Sequence, residues 1–356
     1  MNAPHWQEDA VYVISVGAQT PVGRSALKAA AAVRCGISAY REHPYMIDRY
    51  GEPMVVAQAD WLPEVSLPQD RMIRLGTDAL LDALQIARSI SYRGGLSIVF
   101  AMSGMNLPSE ESQAMTARAI LAELSQAGIS SQGKVLAEGN AVGVKAIQQA
   151  CHRLQSGSEE MIAVVGVDSH LGREQLESID YAGRLHTINN SWGFTPGEGA
   201  GALVLTTGRI LGRNKITPLA QVAAVATGNE SKLLGTKTIC IGEGLTQAFR
   251  GALSDSDKVV HSYCDLNGET YRADEFGFAV CRTGKGFHDA GSFNAAAECW
   301  GDVGAASVPL QVALATSAWA RNYAKGSNVL CWSSSTTSPL RGALRLTNSW
   351  QMGESA

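Results

Sequence analysis

The chain has 356 residues, of which 45% are hydrophobic and 17% charged, with 37 glycines and a formal net charge of -4. That composition excludes a disordered chain, which needs low hydrophobicity and a large charge imbalance. Lysine and arginine are scattered singly, so no basic stripe is present for nucleic acid or an anionic membrane.

In chain order, Val11 to Val16 is a β-rich run ended by Gly17, and Ala26 to Val33 reads as a helix. Arg71 to Arg88 places Met72, Leu75, Ala79, Leu80, Ala83 and Ile86 at helical spacing, and Leu96 to Ala101 reads as a buried strand. Val144, Ile147, Cys151 and Leu154 form one helix face. After a turn at Gly157 to Glu160, Met161 to Val167 is an unbroken apolar strand, as expected of a strand covered on both faces. The segment GRILGRNKIT after Thr207 is polar and glycine-punctuated and marks a boundary, giving expected halves 1–212 and 213–356. The alternation then resumes: strand Leu219 to Thr227, helix Gly242 to Leu253, strand Val259 to Cys264, helix Ala305 to Ala320 and strand Val329 to Trp332. The fold class is α/β, and the second half echoes the order of the first.

Motif by motif, common chemistries drop out. The Gly284-Lys285 pair is followed by Gly286, so no phosphate loop is present, and the glycines of Pro196 to Gly201 precede a strand where a dinucleotide loop would open a helix. No GxSxG elbow exists, and Asp168-Ser169-His170 are taken as neighbours pointing in different directions rather than as a triad. The seven cysteines never form CxxC, which argues for reduced thiols and against a zinc site; no metal is expected. Cys151 is expected in the core and His152 on the surface, since adjacent helical residues face different ways. Glu8 and Asp9 stand where a signal peptide would be basic and then apolar, and no run stays apolar for about 18 residues. A cytoplasmic protein without membrane insertion is expected.

Several segments resemble the thiolase-like β-ketoacyl synthases: VYVISVGAQTPVG (Val11 to Gly23), RMIRLGTDALLDAL (Arg71 to Leu84), MIAVVGVDSHL (Met161 to Leu171), GFTPGEGAGALVL (Gly193 to Leu205) and GAAS (Gly304 to Ser307). The resemblance implies a thiolase-like fold of two α/β halves stacked in five layers, α/β/α/β/α, and a homodimer. The family's chemistry uses a cysteine at a helix N-terminus and two histidines, or a histidine and an asparagine. The matching positions here are Asn140 for the cysteine, Asn267 for the first histidine and Gly301 for the second, and Ser333 to Ser338 replace the glycine-rich closing loop. A carboxamide cannot capture an acyl group or exchange a proton near neutrality, so no ketosynthase activity and no cofactor are expected. Gly139 is expected to supply an unusual backbone angle and Asn140 to cap a helix starting near Ala141. Nearby polar candidates are Glu138, Glu269 and Asp302, either converging as three carboxylates or pairing with Lys145, Arg272 and backbone groups.

The segments CDLNGE, GFTPGEGAGA and CWGDVGAAS also resemble degenerate thiolase-like proteins that accompany bacterial type VI secretion effectors and adaptors. That resemblance implies a catalytically inactive co-chaperone with an effector or adaptor as partner. One alternative is an acyl-binding subunit akin to chain-length factors, for which coenzyme A or an acyl-carrier phosphopantetheine would be the ligand. Another is an acyltransferase or decarboxylase with a rebuilt site using Glu138, Asn140, Cys264, Asn267, Glu269, Cys299 or Asp302.

Overall fold

The computed structural model describes residues 6–62, 67–87, 95–236 and 238–352. The first half runs β1 (Val11–Gln19), α1 (Ala26–Arg34), β2 (Tyr40–Ile47), β3 (Pro53–Ala57), α2 (Pro68–Ala87), β4 (Leu96–Ser103), α3 (Glu110–Gln126), β5 (Ser131–Glu138), α4 (Val142–Gln155), β6 (Met161–Ser169), α5 (Arg173–Tyr181) and β7 (Glu198–Thr207). Helix α6 (Gly208–Asn214) leads to the second half: β8 (Ala220–Asn229), α7 (Glu243–Ala252), β9 (His261–Cys264), α8 (Thr270–Thr283), β10 (Phe293–Ala295), α9 (Ala297–Trp300), α10 (Ser307–Ala320), β11 (Asn328–Ser334) and β12 (Leu340–Thr347). The polar, glycine-punctuated boundary segment is thus helical in part, and residues 212 and 213 both lie inside α6.

Ten strands hydrogen-bond in the order β10-β9-β11-β12-β8-β1-β7-β6-β4-β5. The two halves of that order are the same. In each, the second strand of the half lies parallel to its neighbours on both sides, and the last two strands in space follow antiparallel. The halves meet at β1 and β8 through Tyr12 opposite Gln221 and Val13 opposite Ala220.

Helix contacts give the layering. Helix α2 covers β1, β6 and β7 and packs on α3; α7 covers β8 and β12 and packs on α8. Helix α4 touches β4 and β6 on one side and β8 and β12 on the other, and α10 likewise touches β6 and β7 on one side and β9 and β11 on the other. Both therefore lie between the two half-sheets, and the layers run α/β/α/β/α. Residues 307–319 of α10 are all buried, consistent with a helix that is apolar on every side. Strand β6 is buried along its whole length, as its unbroken apolar sequence requires.

Strand β1 continues through Gly17 instead of ending there. A Cβ on Gly17 would stand 2.1 Å from the carbonyl oxygen of Ala79, so this glycine lets α2 lie directly on the strand. Helix α2 starts at Pro68, ahead of the expected Arg71; Arg88 and the side chain of Ile86 lie outside what is described. Cys151 is buried and His152 exposed.

Candidate functional site

Helix α4 begins at Val142; Glu138 ends β5, and the turn between the two carries Gly139 and Asn140. Gly139 does not adopt a positive φ, contrary to expectation. Its role is close approach: a Cβ there would stand 2.6 Å from the Cβ of Ser335. Asn140 is not the helix cap either. The cap position is Ala141, whose N–H donates to Ser335 Oγ at 3.1 Å, so the serine-rich segment that replaces the glycine loop closes over this turn.

Freed from capping, Asn140 donates its Nδ2–H to Asp302 Oδ1 at 3.0 Å. From the second half, Asn267 donates to Asp302 Oδ2 at 2.7 Å and to Glu269 Oε2 at 3.1 Å. The backbone N–H of Gly304 is a third donor to this carboxylate, 2.8 Å from Oδ1, and Arg272 stands 3.5 Å from Oδ2. Gly301 has φ 72° and packs against Gly197, where the 193–205 segment pairs with 300–303. It carries no side chain into this space; the adjacent Asp302 does.

Sequence reasoning missed His170. Along the extended backbone leaving β6, residues 168 and 170 share one side and Ser169 takes the other, so Asp168 and His170 do point together, correcting the expectation. His170 Nε2 stands 3.6 Å from Asp302 Oδ1, and the Asn106 carboxamide bridges Asp168 Oδ1 and His170 Nδ1. Ser169 donates instead to Glu198 Oε2 at 3.2 Å on the opposite face, where Arg71 also binds Glu198. Strand alternation alone could have identified the Asp168 and His170 pair.

The electrostatics follow from this crowding. Burial alone would raise the Asp302 pKa, but the His170 imidazole and the Arg272 guanidinium hold it well below the usual carboxylate range. Burial alone would lower the His170 pKa, yet the charges of Asp168 and Asp302 raise it, favouring an imidazolium. Burial raises Asp168 against the pull of His170. Arg272 is itself fully enclosed, donating to the Asp265 carbonyl at 3.0 Å and to Thr336 Oγ1 at 3.1 Å.

The three candidate carboxylates do not all converge. Glu269 and Asp302 are joined through Asn267, and Glu269 also accepts two bonds from Arg184 at 2.7 and 2.9 Å. Glu138 pairs with Lys145 at 2.7 Å in a half-buried ion pair. Cys264 and Cys299 are buried, and burial pushes both thiols up, away from nucleophilic thiolate character.

Two spaces flank the network. The inner one, between Cys264, Asp265, Trp300, Asp302, Gln311 and Leu314, has about 10 Å³, room for roughly one water. The outer one is a cleft of about 690 Å³ lined by Arg184, Trp192 and Leu234, with Glu269, Tyr271 and Thr336 in its wall. Tyr271 O–H and Thr336 Oγ1 share a 2.6 Å hydrogen bond between cleft and network.

Chemically, Asp302 has both oxygens occupied and a depressed pKa, which makes it a weak base, and neither asparagine can act as a nucleophile or proton carrier. What the arrangement does is hold the halves together: Asn140, His170 and Arg184 come from the first, Asn267, Glu269, Arg272 and Asp302 from the second.

Residues 113–209 match the family described as β-ketoacyl synthase, N-terminal domain. No curated protein matches the chain. Among solved structures, a ketosynthase from module 6 of the bacillaene synthase of Bacillus subtilis 168 superposes with a TM-score of 0.74 at 15% identity, over 95% of this chain and 72% of the other. A ketosynthase in complex with its chain length factor from Xenorhabdus doucetiae gives 0.72 at 14%, over 95% and 98%. A β-ketoacyl synthase from Burkholderia phymatum STM815 gives 0.69 at 17%, over 96% and 100%. The chain thus has the thiolase-like α/β fold seen in β-ketoacyl synthases.

Proposed function

We propose that this chain is a non-condensing β-ketoacyl synthase-like protein that works through contact with other proteins. The observation that carries the reading is Asp302, clamped by Asn140 and Asn267 at the positions matched to the family's nucleophile and first histidine. The one-water cavity behind it supports the same reading, because on that inner side an acyl chain could enter only by dismantling the network.

Exposed apolar side chains supply the means of contact. Tyr45, Ile47 and Tyr50 on and beside the β2–β3 ribbon, Tyr181 at the end of α5, and Ile188 and Trp192 after it are all more than half exposed. The Arg49 and Asp180 ion pair ties the ribbon to α5. Strand β5 ends the sheet with Gln132, Gly133 and Lys134 exposed, an edge that a second copy of the chain can extend into the homodimer implied by the resemblance.

The partner we favour is an effector or adaptor of type VI secretion, with the chain as a co-chaperone in the cytoplasm. Support comes from the resemblance of CDLNGE, GFTPGEGAGA and CWGDVGAAS, the three segments that meet at Asn267, Gly197 and Asp302. The test is co-expression with a neighbouring adaptor or effector followed by size exclusion. A stable co-eluting complex supports the reading, and separate elution sinks it. A second reading, a chain-length-factor-like subunit, is favoured by the solved ketosynthase and chain length factor complex that shares this fold; co-purification with a catalytic paralogue would select it.

A further inference from the structure

The crossing from β8 to α7 places Glu230 and Cys240 against Glu275 of α8. A carboxylate oxygen from each glutamate and the Cys240 Sγ lie within 4.8 Å of one another. Both glutamates are fully buried and Cys240 partly so. Glu230 accepts the Gly244 N–H on Oε2 at 3.0 Å and the Lys232 N–H on Oε1 at 3.1 Å, so each oxygen keeps a lone pair free. Glu275 Oε1 accepts from Arg341 Nε and stands 3.8 Å from Cys240 Sγ, while its Oε2 has no hydrogen-bond partner. Among the described residues the ion pair at this cluster is that of Arg341 with Glu275, and Lys232 Nζ reaches Glu243 instead. Arg341 pairs with Glu275 Oε1, but Oε2 is a buried oxygen without a hydrogen-bond partner beside a thiol and a second acid, a position that a further cation would satisfy.

We propose that Glu230, Cys240 and Glu275 bind a thiophilic divalent cation of the zinc class. One sulfur and two carboxylate oxygens suit a borderline-soft, four-coordinate ion, with water in the fourth position, rather than magnesium or calcium, which take six or more oxygens. A tetrahedral ion would draw the ligand atoms to roughly 3.5 Å apart. Cys240 can close that gap because it lies in the irregular stretch after Thr238, outside any helix or strand. Burial, aided by the two carboxylates, pushes the Cys240 thiol up to about 11, so the metal-free site holds S–H. On binding, the S–H bond breaks, a sulfur–metal bond forms and the proton leaves to solvent. The bound ion would pin the β8–α7 crossing to α8, one turn along that helix from Arg272 of the Asp302 network.

The test uses the full chain with the exposed Cys35 and Cys281 changed to alanine, stripped with chelator and titrated with Cd²⁺ alone. Expected are one equivalent bound, an ultraviolet thiolate-to-cadmium charge-transfer band, one proton released, and displacement by Zn²⁺. Cys240→Ser should abolish the band, and Glu230→Gln should weaken binding by about 10- to 100-fold. A band that survives Cys240→Ser, or no band at all, overturns the proposal. Should Cys240→Ser fail to fold, the parent decides: Zn²⁺ must raise its Tm and release one proton, and absence of both overturns the site.

Discussion

Asn140 reaches Asp302 across 162 residues of chain, and the 3.0 Å hydrogen bond between them joins the turn before α4 to the segment before α10. Both helices belong to the middle layer, so this bond sits where the two half-sheets are stapled together.

Removing the Asp302 carboxylate should therefore act as the loss of a buried ion pair. Asp302→Ala leaves Arg272 and His170 short of an anion and strips Asn140, Asn267 and the Gly304 N–H of their acceptor. A loss of about 3 to 5 kcal/mol is expected, measured by urea unfolding. Asp302→Asn, which keeps an acceptor, should lose less.

The same site sets a pH dependence with a defined sign. The His170 pKa is raised in the folded state, so its contribution is fully present below the unfolded value of about 6.5 and is lost as pH rises through the folded value. The stability difference between wild type and His170→Gln should shrink as pH increases above about 6.5. A difference that stays flat across that range would mean a neutral His170. Asp302 has the opposite sense: its depressed pKa gives stability present above about 3.9 and lost as pH falls through the folded value.

Gly304 has φ 51°, and a Cβ there would stand 1.9 Å from Asp168 Oδ2 and 3.1 Å from His170 Nε2. Gly36 has φ 67° with open space around it. Gly36→Ala should lose about 1 kcal/mol from backbone strain alone, and Gly304→Ala about 3 kcal/mol or more because the Asp168 and His170 pair must also move. Thermal unfolding of the two variants side by side isolates the steric part.

Incubation with acetyl- or malonyl-coenzyme A should leave the intact mass unchanged. Burial holds the Cys151 thiol at about 12 and pushes Cys264 and Cys331 up as well. In the folded protein, iodoacetamide should label Cys35 and Cys281 rapidly and those three not at all; an acyl adduct on any cysteine would return the chain to the condensing enzymes.

The alternation of apolar runs made β1, β4, β6, α2, α4 and α10 legible, because each is long or uniformly buried. The ribbon β2–β3, the exposed edge strand β5 and helix α8 carry no clean period, and tertiary contacts hold them instead. At the site, Asn140 and Asn267 could be located from flanking motifs. Asp302 could not be separated from Gly301, because which of the two enters the cleft depends on the positive φ at Gly301. Arg184 and Thr336 come from loops with no periodic signal, whereas the shared side of Asp168 and His170 is legible from strand alternation.

The repeated strand order invites cutting the chain in two, but α4 and α10 forbid it. Each carries apolar surface toward both half-sheets, so either half expressed alone would bare one whole face of its central helix to water. The expected outcome is a single cooperative unfolding transition for the whole molecule, with isolated halves that aggregate.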